Sequence, residues 1–154
     1  MAEAPIRIDL KQQADYRFEV HFEGTEITPL QTDEPPPLGG GTGPNPARLL
    51  GTAVANCLAA SLLFALRKFG NKPEPIEASC TLAPERNAQG RLRIPRIDVQ
   101  IRLGVPWSAL KHAARAVAQF EDFCIVTQSV RGGIDVQVRV VDSTGAPVPA
   151  EVVA

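Results

Sequence analysis

The sequence lacks a surplus of either charge and a leading apolar segment. Its 154 residues hold 16 Lys and Arg against 17 Asp and Glu, for a formal net charge of -1. Proteins that hold a phosphate backbone need an excess of basic residues, so this balance argues against a nucleic-acid partner. The first ten residues carry Glu3, Arg7 and Asp9, where a secretory signal needs an apolar run. We therefore expect a cytoplasmic protein that binds no nucleic acid.

The sequence also lacks the spacings that mark common metal and phosphate sites. It has no Cys-x-x-Cys or His-x-x-x-His pair, and its two histidines, His21 and His112, are isolated. No metal site is therefore expected. The glycine-rich run Gly39–Gly43 precedes a helix but is not followed by the Gly-Lys-Ser/Thr of a phosphate-binding loop. We interpret it as a loop that leads into a core helix.

One long uncharged stretch is present, from Leu49 to Leu66. It reaches the length at which a membrane-spanning helix becomes a candidate. Gly51, Asn56 and several alanines make it small and mildly polar rather than strongly apolar. The pattern favours a buried helix that neighbouring elements approach closely, and no membrane partner is expected.

The N-terminal third predicts strands followed by a loop. Apolar residues alternate with polar ones in 6–10 and 17–22, and Ile27–Leu30 is a candidate third strand. Prolines and glycines fill residues 31–46, which neither a strand ladder nor a helix can cross. Asn45 and Pro46 then suit the N-cap and first position of a long helix that ends near Phe69, before Gly70.

The remaining chain predicts two strands, two helices and a last strand within a single domain, 1–154. The elements after the long helix follow in order: a strand over Ile76–Leu82, a turn over Asn87–Gly90, a strand over Arg91–Leu103 with a bulge at Pro95-Arg96, a helix over Trp107–Phe120, a short helix over Cys124–Val130, and a strand over Ile134–Val140. Residues 143–154 are expected to be loose or a weak edge. This order predicts an α+β fold with an antiparallel sheet.

Three cysteines are an odd number, which argues against a disulfide framework and leaves free, metal-bound or redox-active thiols. Cys80 shares the apolar parity of its strand and is expected to be an inert core residue. Cys57 lies mid-helix among small residues. Cys124 follows Asp122, a candidate N-cap that would place Cys124 in the first turn of a helix. From spacing alone, both remain open to a structural or a reactive role.

Two segments together resemble the OsmC/Ohr family of osmotically inducible and organic hydroperoxide resistance proteins. The first is GPNPARLLGTAVANCLAASL, residues 43–62, which contains Cys57, and the second is FEDFCIV, residues 120–126, which contains Cys124. The element order agrees from about Tyr16 to Val140. The resemblance implies an OsmC-like fold in which antiparallel sheets pack around long central helices of an intertwined homodimer.

The resemblance also implies a chemistry. Cys57 matches the family's peroxidatic cysteine, which attacks an organic hydroperoxide as a thiolate and becomes a sulfenic acid. Cys124 matches the resolving cysteine, which converts the sulfenic acid to a disulfide. No bound cofactor is implied, since a lipoylated or other dithiol such as dihydrolipoamide reduces the disulfide.

The sequence departs from the family pattern near the expected site. Ala47 and Arg48 occupy the positions where a glutamate commonly orients an activating arginine, and Ile125 stands where a proline is usual. Arg17, on an earlier strand, is the candidate substitute for the arginine. These departures keep a second hypothesis open, in which the homodimer is not an enzyme and binds a small apolar ligand. A disulfide switch without turnover is a third.

Overall fold

The computed structural model describes residues 3–150, and the chain divides into two compact units between Leu50 and Gly51. In the first unit, three strands form an antiparallel sheet in the order β1-β2-β3: β1 is Ile8–Ala14, β2 is Arg17–Phe22 and β3 is Leu30–Thr32. The third strand starts later than the predicted Ile27–Leu30. Pro29 has no N–H to donate to a ladder, so pairing begins only at Leu30, opposite Val20.

A buried carboxylate organises the loop after β3. Asp33 accepts hydrogen bonds from the backbone N–H groups of Glu34, Gly40 and Thr42 and from the Thr42 hydroxyl, at 2.9–3.1 Å. These bonds, led by the Thr42 N–H, hold the pKa of Asp33 below its ordinary value. Gly43 closes the loop, because a Cβ there would lie 2.2 Å from the Gln31 carbonyl oxygen.

Helix α1, Pro46–Lys68, begins and ends as its terminal residues predict. Asn45 Oδ1 accepts the Arg48 N–H at 3.1 Å, which confirms the N-cap. At the other end Gly70 has φ of 76° and its N–H donates to the Arg67 carbonyl, while the Asn71 N–H donates to Leu66. This pair of bonds is a Schellman motif, and it ends the helix one residue before the predicted Phe69.

The second unit contains a mixed sheet. β4 (Glu77–Leu82) pairs antiparallel with β7 (Arg96–Arg102), which pairs parallel with β8 (Asp135–Val141). The sequence predicted antiparallel pairing, which is confirmed for β1-β2-β3 and for β4–β7. The β7–β8 pair is parallel because the chain crosses over through helices between these two strands.

The predicted long strand Arg91–Leu103 is divided in the structure. β5 (Glu85–Arg86) and β6 (Leu92–Arg93) form a separate hairpin around the predicted Asn87–Gly90 turn, and β7 starts after Pro95. Pro95 has no backbone N–H, so the chain leaves the hairpin there instead of forming a bulge. Apolar residues alternate with polar ones along β7, whose Ile97 and Ile101 are fully buried.

The predicted helix Trp107–Phe120 is also divided. A 3₁₀ helix, Trp107–Ala109, precedes α2, Ala113–Gln119. Leu110 is extended and His112 has φ of 55°, so no continuous helix passes through them. Asn71 holds the break open, because its side chain donates to the Lys111 carbonyl at 2.8 Å and accepts the Lys111 N–H at 2.7 Å.

A second 3₁₀ helix, Phe120–Phe123, leads into α3, Ile125–Val130. The core of this unit takes one side of α1, where fully buried residues recur every fourth position: Val54, Leu58, Leu62 and Leu66.

Part of the expected loose tail folds back on β8. The Val148 N–H donates to the Val140 carbonyl at 3.0 Å, and Val148 is buried. Asp142 closes the intervening turn by accepting bonds from Thr144, Ala146 and the Trp107 N–H, which lower its pKa. Residues 151–154 lie outside the described residues.

Candidate active site

Cys57 lies in the middle of α1, on a side lined by small residues. Ala53, Ala60 and Ser61 are three or four positions away and therefore share its side of the helix. Cys57 is half-buried, whereas its neighbour Leu58 is fully buried on the core side. The small neighbours leave the thiol open to a groove instead of covering it.

Cys124 lies at the junction between the second 3₁₀ helix and α3. It occupies the N-cap position of α3 itself, with φ of -83° and ψ of 96°. The sequence assigned the cap to Asp122, which instead lies within the 3₁₀ helix and is exposed. The tight turn explains this difference, because the Cys124 N–H donates to the Glu121 carbonyl at 3.0 Å and α3 starts only afterwards.

The two thiols that the family resemblance pairs are neighbours in the structure. The Cys57 thiol is close enough to Cys124 to shift the pKa of that thiol, and both cysteines are free. Cys124 is 0% exposed, and its Sγ donates to the Thr127 hydroxyl at 3.0 Å. Burial first, and then the contact with Cys57, raise the pKa of Cys124, while Thr127 acts in the opposite direction.

The segment around Cys124 is clamped by two contacts. Arg131, just after α3, forms an ion pair with Glu121 in the preceding 3₁₀ helix. The Gln128 side chain donates to the Glu121 carbonyl at 3.0 Å. These two contacts join the residues before Cys124 to the residues after it.

An open groove of about 910 Å³ runs along α1 past Cys57. Its lining is mainly apolar and comes from α1, α2 and the segment around Cys124. Lys68 and Arg115 supply positive charge to the lining, and the Arg115 guanidinium lies 6.0 Å from the centre of the Phe69 ring. The groove thus presents an apolar surface beside the Cys57 thiol, and two cationic side chains are part of its wall.

Several large apolar side chains border this groove and are exposed to solvent. Phe64 is 72% exposed, Phe123 76% and Ile125 74%. By length and composition α1 is also a candidate membrane span, and 33% of its most apolar window is buried in this chain. One side of α1 is therefore apolar and uncovered.

The third cysteine, Cys80, has chemical surroundings that differ from those of Cys57 and Cys124. Burial, and then the charge of Asp98, raise its pKa, which suits the inert role expected for it. The residue is half-buried rather than fully buried. Its Sγ packs where α1 approaches β4, 3.1 Å from the position that a Cβ on Gly51 would take.

The remaining predicted site residues lie in the first unit. Arg17 begins β2 and is half-buried, and its Nε is buried with no hydrogen-bond partner among residues 3–150. Ala47 and Arg48 form the first turn of α1. A role for Arg17 beside a reactive thiol stays a prediction.

The histidines and the other candidate metal ligands give no cluster. His21 contacts Glu19 at 2.8 Å on the same strand, and the His112 ring is tilted by 45° against the Phe69 ring, with ring centres 5.3 Å apart. Over the described part of the chain, no three His, Cys, Asp or Glu side chains are placed to hold a metal ion.

Sequence reasoning missed Thr127 and the groove residues. Thr127 is three positions after Cys124, a helical spacing that brings side chains together and that could have indicated the contact. The exposed Phe64 carried no such signal, because an apolar residue in an apolar helix looks like core.

The structure is thus an α+β protein with two neighbouring thiols, one of them on the wall of an apolar groove. The sequence model of the OsmC-like protein family matches residues 39–139, and the chain therefore belongs to that family.

Solved structures of the family share the fold at low sequence identity. An OsmC-like protein from Mycoplasma pneumoniae is 15% identical with a TM-score of 0.72, over 92% of this chain and 99% of that one. The organic hydroperoxide resistance protein OsmC from Legionella pneumophila is 16% identical with a TM-score of 0.69, over 91% and 98%. The organic hydroperoxide resistance protein OhrB of Bacillus subtilis is 17% identical with a TM-score of 0.64, over 90% and 98%. No protein with a curated description matches the chain at a significant level.

Proposed function

We propose that this protein is a thiol-dependent peroxidase that reduces organic hydroperoxides, with Cys57 as peroxidatic and Cys124 as resolving cysteine. The observation that supports the proposal is the nearness of the two thiols, which shifts the pKa of Cys124, with Cys57 on the wall of an apolar groove. Structural relatives named for organic hydroperoxide resistance support it further. Ordinary thiol chemistry then supplies the steps.

In the first step the Cys57 thiolate attacks the terminal oxygen of the hydroperoxide. The O–O bond breaks, an alcohol leaves after taking up a proton, and Cys57 becomes a sulfenic acid. In the second step the Cys124 sulfur attacks the Cys57 sulfur, the S–O bond breaks, and water leaves with the thiol proton. A lipoylated or other dithiol then reduces the disulfide by thiol–disulfide exchange.

The groove suits the organic part of such a substrate. Alanines and aromatic rings line the groove, so the binding of an alkyl or aryl peroxide is favoured by the transfer of its apolar part out of water. Hydrogen peroxide has no apolar body and gains nothing there. The proposal therefore predicts a preference for cumene hydroperoxide over hydrogen peroxide.

Arg17 is the proposed activating cation, since a positive charge near a thiol favours the thiolate. Its Nε is buried and has no hydrogen-bond partner within residues 3–150, which supports this role because a buried donor without an acceptor is costly. Arg17→Met keeps the apolar stem and removes the charge. We expect it to slow sulfenic acid formation at Cys57 and to leave disulfide reduction unchanged; equal oxidation rates would remove Arg17 from the proposal.

The protein is further proposed to act as a cytoplasmic homodimer, in which a second copy covers the exposed side of α1. Phe64, Phe123 and Ile125 form the uncovered apolar border that needs such a cover. Light scattering should give twice the mass of 16.5 kDa, and Phe64→Asp should shift the protein to the monomer. Monomeric wild type, or its flotation with lipid vesicles, would contradict this assignment.

The decisive experiment counts thiols. One equivalent of cumene hydroperoxide is added to the reduced protein, and intact mass and free thiols are measured. We expect the loss of two thiols and of two hydrogen masses, with the disulfide mapped to Cys57 and Cys124. Cys80→Ser is the matched control and should form the same disulfide, whereas Cys57→Ser should not. Three surviving thiols after prolonged exposure would contradict the proposal.

A second function is favoured by the change at the expected glutamate position, Ala47 and Arg48, together with the size of the groove. In that case the protein binds a small apolar ligand without turnover, or its thiols form a switch. Native mass spectrometry with an apolar ligand series separates the cases, because ligand binding would survive in Cys57→Ser and peroxide reduction would not.

A further inference from the structure

Thr127 is a buried polar residue whose hydroxyl contacts a thiol. It is 0% exposed, in the first turn of α3, and its Oγ1 lies 3.0 Å from Cys124 Sγ. Other buried polar side chains serve the backbone: Asp33 and Asp142 close loops, and Asn71 bridges Leu66 and Lys111. The Thr127 side chain instead contacts the sulfur that the proposed reaction uses.

A hydroxyl in this position costs free energy that an apolar side chain would not. Burying a hydroxyl is unfavourable unless it forms hydrogen bonds, and a thiol is a weak partner. Valine has the same shape and would fill the site without that cost. The cost is offset only if the partner becomes a strong one, as a thiolate sulfur does.

We propose that Thr127 is a positioning residue for the resolving thiol. Its hydroxyl accepts the S–H hydrogen bond of Cys124 at rest, and it rotates to donate to the sulfur when Cys124 loses its proton. The sulfur is thereby kept in place beside Cys57 in both protonation states. The inference rests on the proposed function, since it assigns a part in the second step.

The contact serves the second step of the proposed reaction, in which the disulfide forms. The Cys124 sulfur forms a bond to the sulfur of the Cys57 sulfenic acid, and the S–O bond breaks. The thiol proton and the departing hydroxide leave together as water. Thr127 neither gains nor loses an atom. Its hydroxyl changes from acceptor to donor in one hydrogen bond with the sulfur.

The surroundings of Cys124 oppose its ionisation, and the contact with Thr127 acts against them. Burial and the Cys57 thiol raise the pKa of Cys124, and the Thr127 hydroxyl lowers it. The charged side chains that line the adjoining groove are Lys68 of α1 and Arg115 of α2, and Glu121 and Arg131 form an ion pair on either side of Cys124 in the chain. The ion pair is internally neutralised. The polar groups that act directly on the Cys124 sulfur are the Thr127 hydroxyl, at 3.0 Å, the Thr127 backbone N–H and the Cys57 thiol. Of these, the hydroxyl is the one that a substitution at residue 127 removes while the backbone N–H remains.

The first test needs no peroxide. With Cys57→Ser and Cys80→Ser combined, Cys124 is the single remaining thiol, and the ultraviolet absorbance of its thiolate is titrated with pH. We expect Thr127→Val to move the midpoint to higher pH and Thr127→Ser to restore it. Thr32→Val, which removes another buried hydroxyl, is the matched control and should leave the midpoint unchanged. An unchanged midpoint in Thr127→Val would overturn the hydrogen-bond assignment.

The second test follows the reaction in the protein with all three thiols. Disulfide formation after a pulse of cumene hydroperoxide should be about three- to tenfold slower in Thr127→Val at neutral pH, because fewer thiolates form while each becomes somewhat more nucleophilic. Sulfenic acid formation at Cys57 should keep its rate. Rescue by Thr127→Ser is expected, and a slow rate in Thr127→Ser as well would point to a packing role instead.

The two proposals fail differently. If wild-type Cys57 never forms a sulfenic acid, the proposed function fails, and the resolving role of Thr127 fails with it. If wild type forms the disulfide and Thr127→Val matches it in rate and pH profile, only the Thr127 inference fails. Thr127→Ala, with folding checked by circular dichroism, replaces Thr127→Val if valine prevents folding.

Discussion

Cys124 and Cys80 lie in the same unit, and burial is the main cause that raises the pKa of both thiols. Their second neighbours differ. Cys124 is next to another thiol and a hydroxyl, whereas Cys80 senses the negative charge of Asp98. A carboxylate opposes ionisation and offers no sulfur to react with. Burial therefore does not separate a candidate redox cysteine from a packing one, but the identity of the neighbours does.

The largest effect that would test this comparison is on turnover. Cys124→Ser should strongly reduce hydroperoxide turnover with a dithiol, because only direct attack by the external dithiol then reduces the Cys57 sulfenic acid. Excess peroxide should convert the unresolved sulfenic acid of Cys57 to sulfinic acid. Cys80→Ser should keep the wild-type rate. Mass spectrometry of Cys57 after repeated peroxide additions checks both. Equal losses in the two variants would remove the distinction between the cysteines.

A smaller effect is expected from loosening the clamp around Cys124. Arg131→Ala removes the ion pair with Glu121 and should slow disulfide formation by about tenfold, since a displaced sulfur attacks poorly. Arg67→Ala breaks the exposed ion pair with Glu74 and is the matched control, expected to have no effect on this rate. Stopped-flow measurement of disulfide formation decides, and a wild-type rate in Arg131→Ala would show that the clamp is dispensable.

Because Cys80 is a packing residue, changes around it should alter the stability of the fold and not the reaction rate. Gly51→Ala places a Cβ 3.1 Å from Cys80 Sγ and 2.9 Å from Leu82 Cδ2, and should lower the free energy of unfolding by about 1 kcal/mol. In a Cys80→Ala background the loss should be smaller, because the sulfur is gone. Urea unfolding of the four proteins measures this coupling. Strictly additive losses would mean that the sulfur does not fill this contact.

The smallest expected effect is on stability at alkaline pH. Both thiols have a raised pKa in the folded protein, so the unfolded chain ionises first, near pH 9, and gains relative stability as the pH rises further. The thermal midpoint should therefore fall above about pH 9, and less steeply in Cys80→Ala. A fall of the same steepness in that variant would assign it to other groups.

Much of the fold could be predicted from the sequence because particular residue types mark the ends of its helices and turns. Asn45, Gly70 and the Asn87–Gly90 turn fall where side-chain and backbone chemistry leave few alternatives. The division of the Trp107–Phe120 helix was not predictable in the same way. It depends on Asn71, 40 residues from the Lys111 backbone groups that it bonds, and local spacing does not encode such a contact.

The candidate site shows the same division. The helix position of Cys57 and its small neighbours could be predicted from periodicity, but the nearness of Cys124 came from the family resemblance and is seen only in the folded chain. Thr127 and the exposed Phe64 were missed because burial is a property of the tertiary structure. The parallel β7–β8 pair escaped for a similar reason, since a strand's sequence does not specify its neighbour's direction.

Two loops of this protein are each closed by a single carboxylate, Asp33 in one and Asp142 in the other. Both carboxyl groups have a lowered pKa, so their stabilising effect is present above about pH 4 and is lost as the pH falls through the folded value. Protonation of either carboxylate would weaken all the hydrogen bonds that it accepts from its loop at the same time. Acid should thus open these two segments as local units while the sheets persist, and amide hydrogen exchange at Gly40, Thr42 and Ala146 would be the first to accelerate.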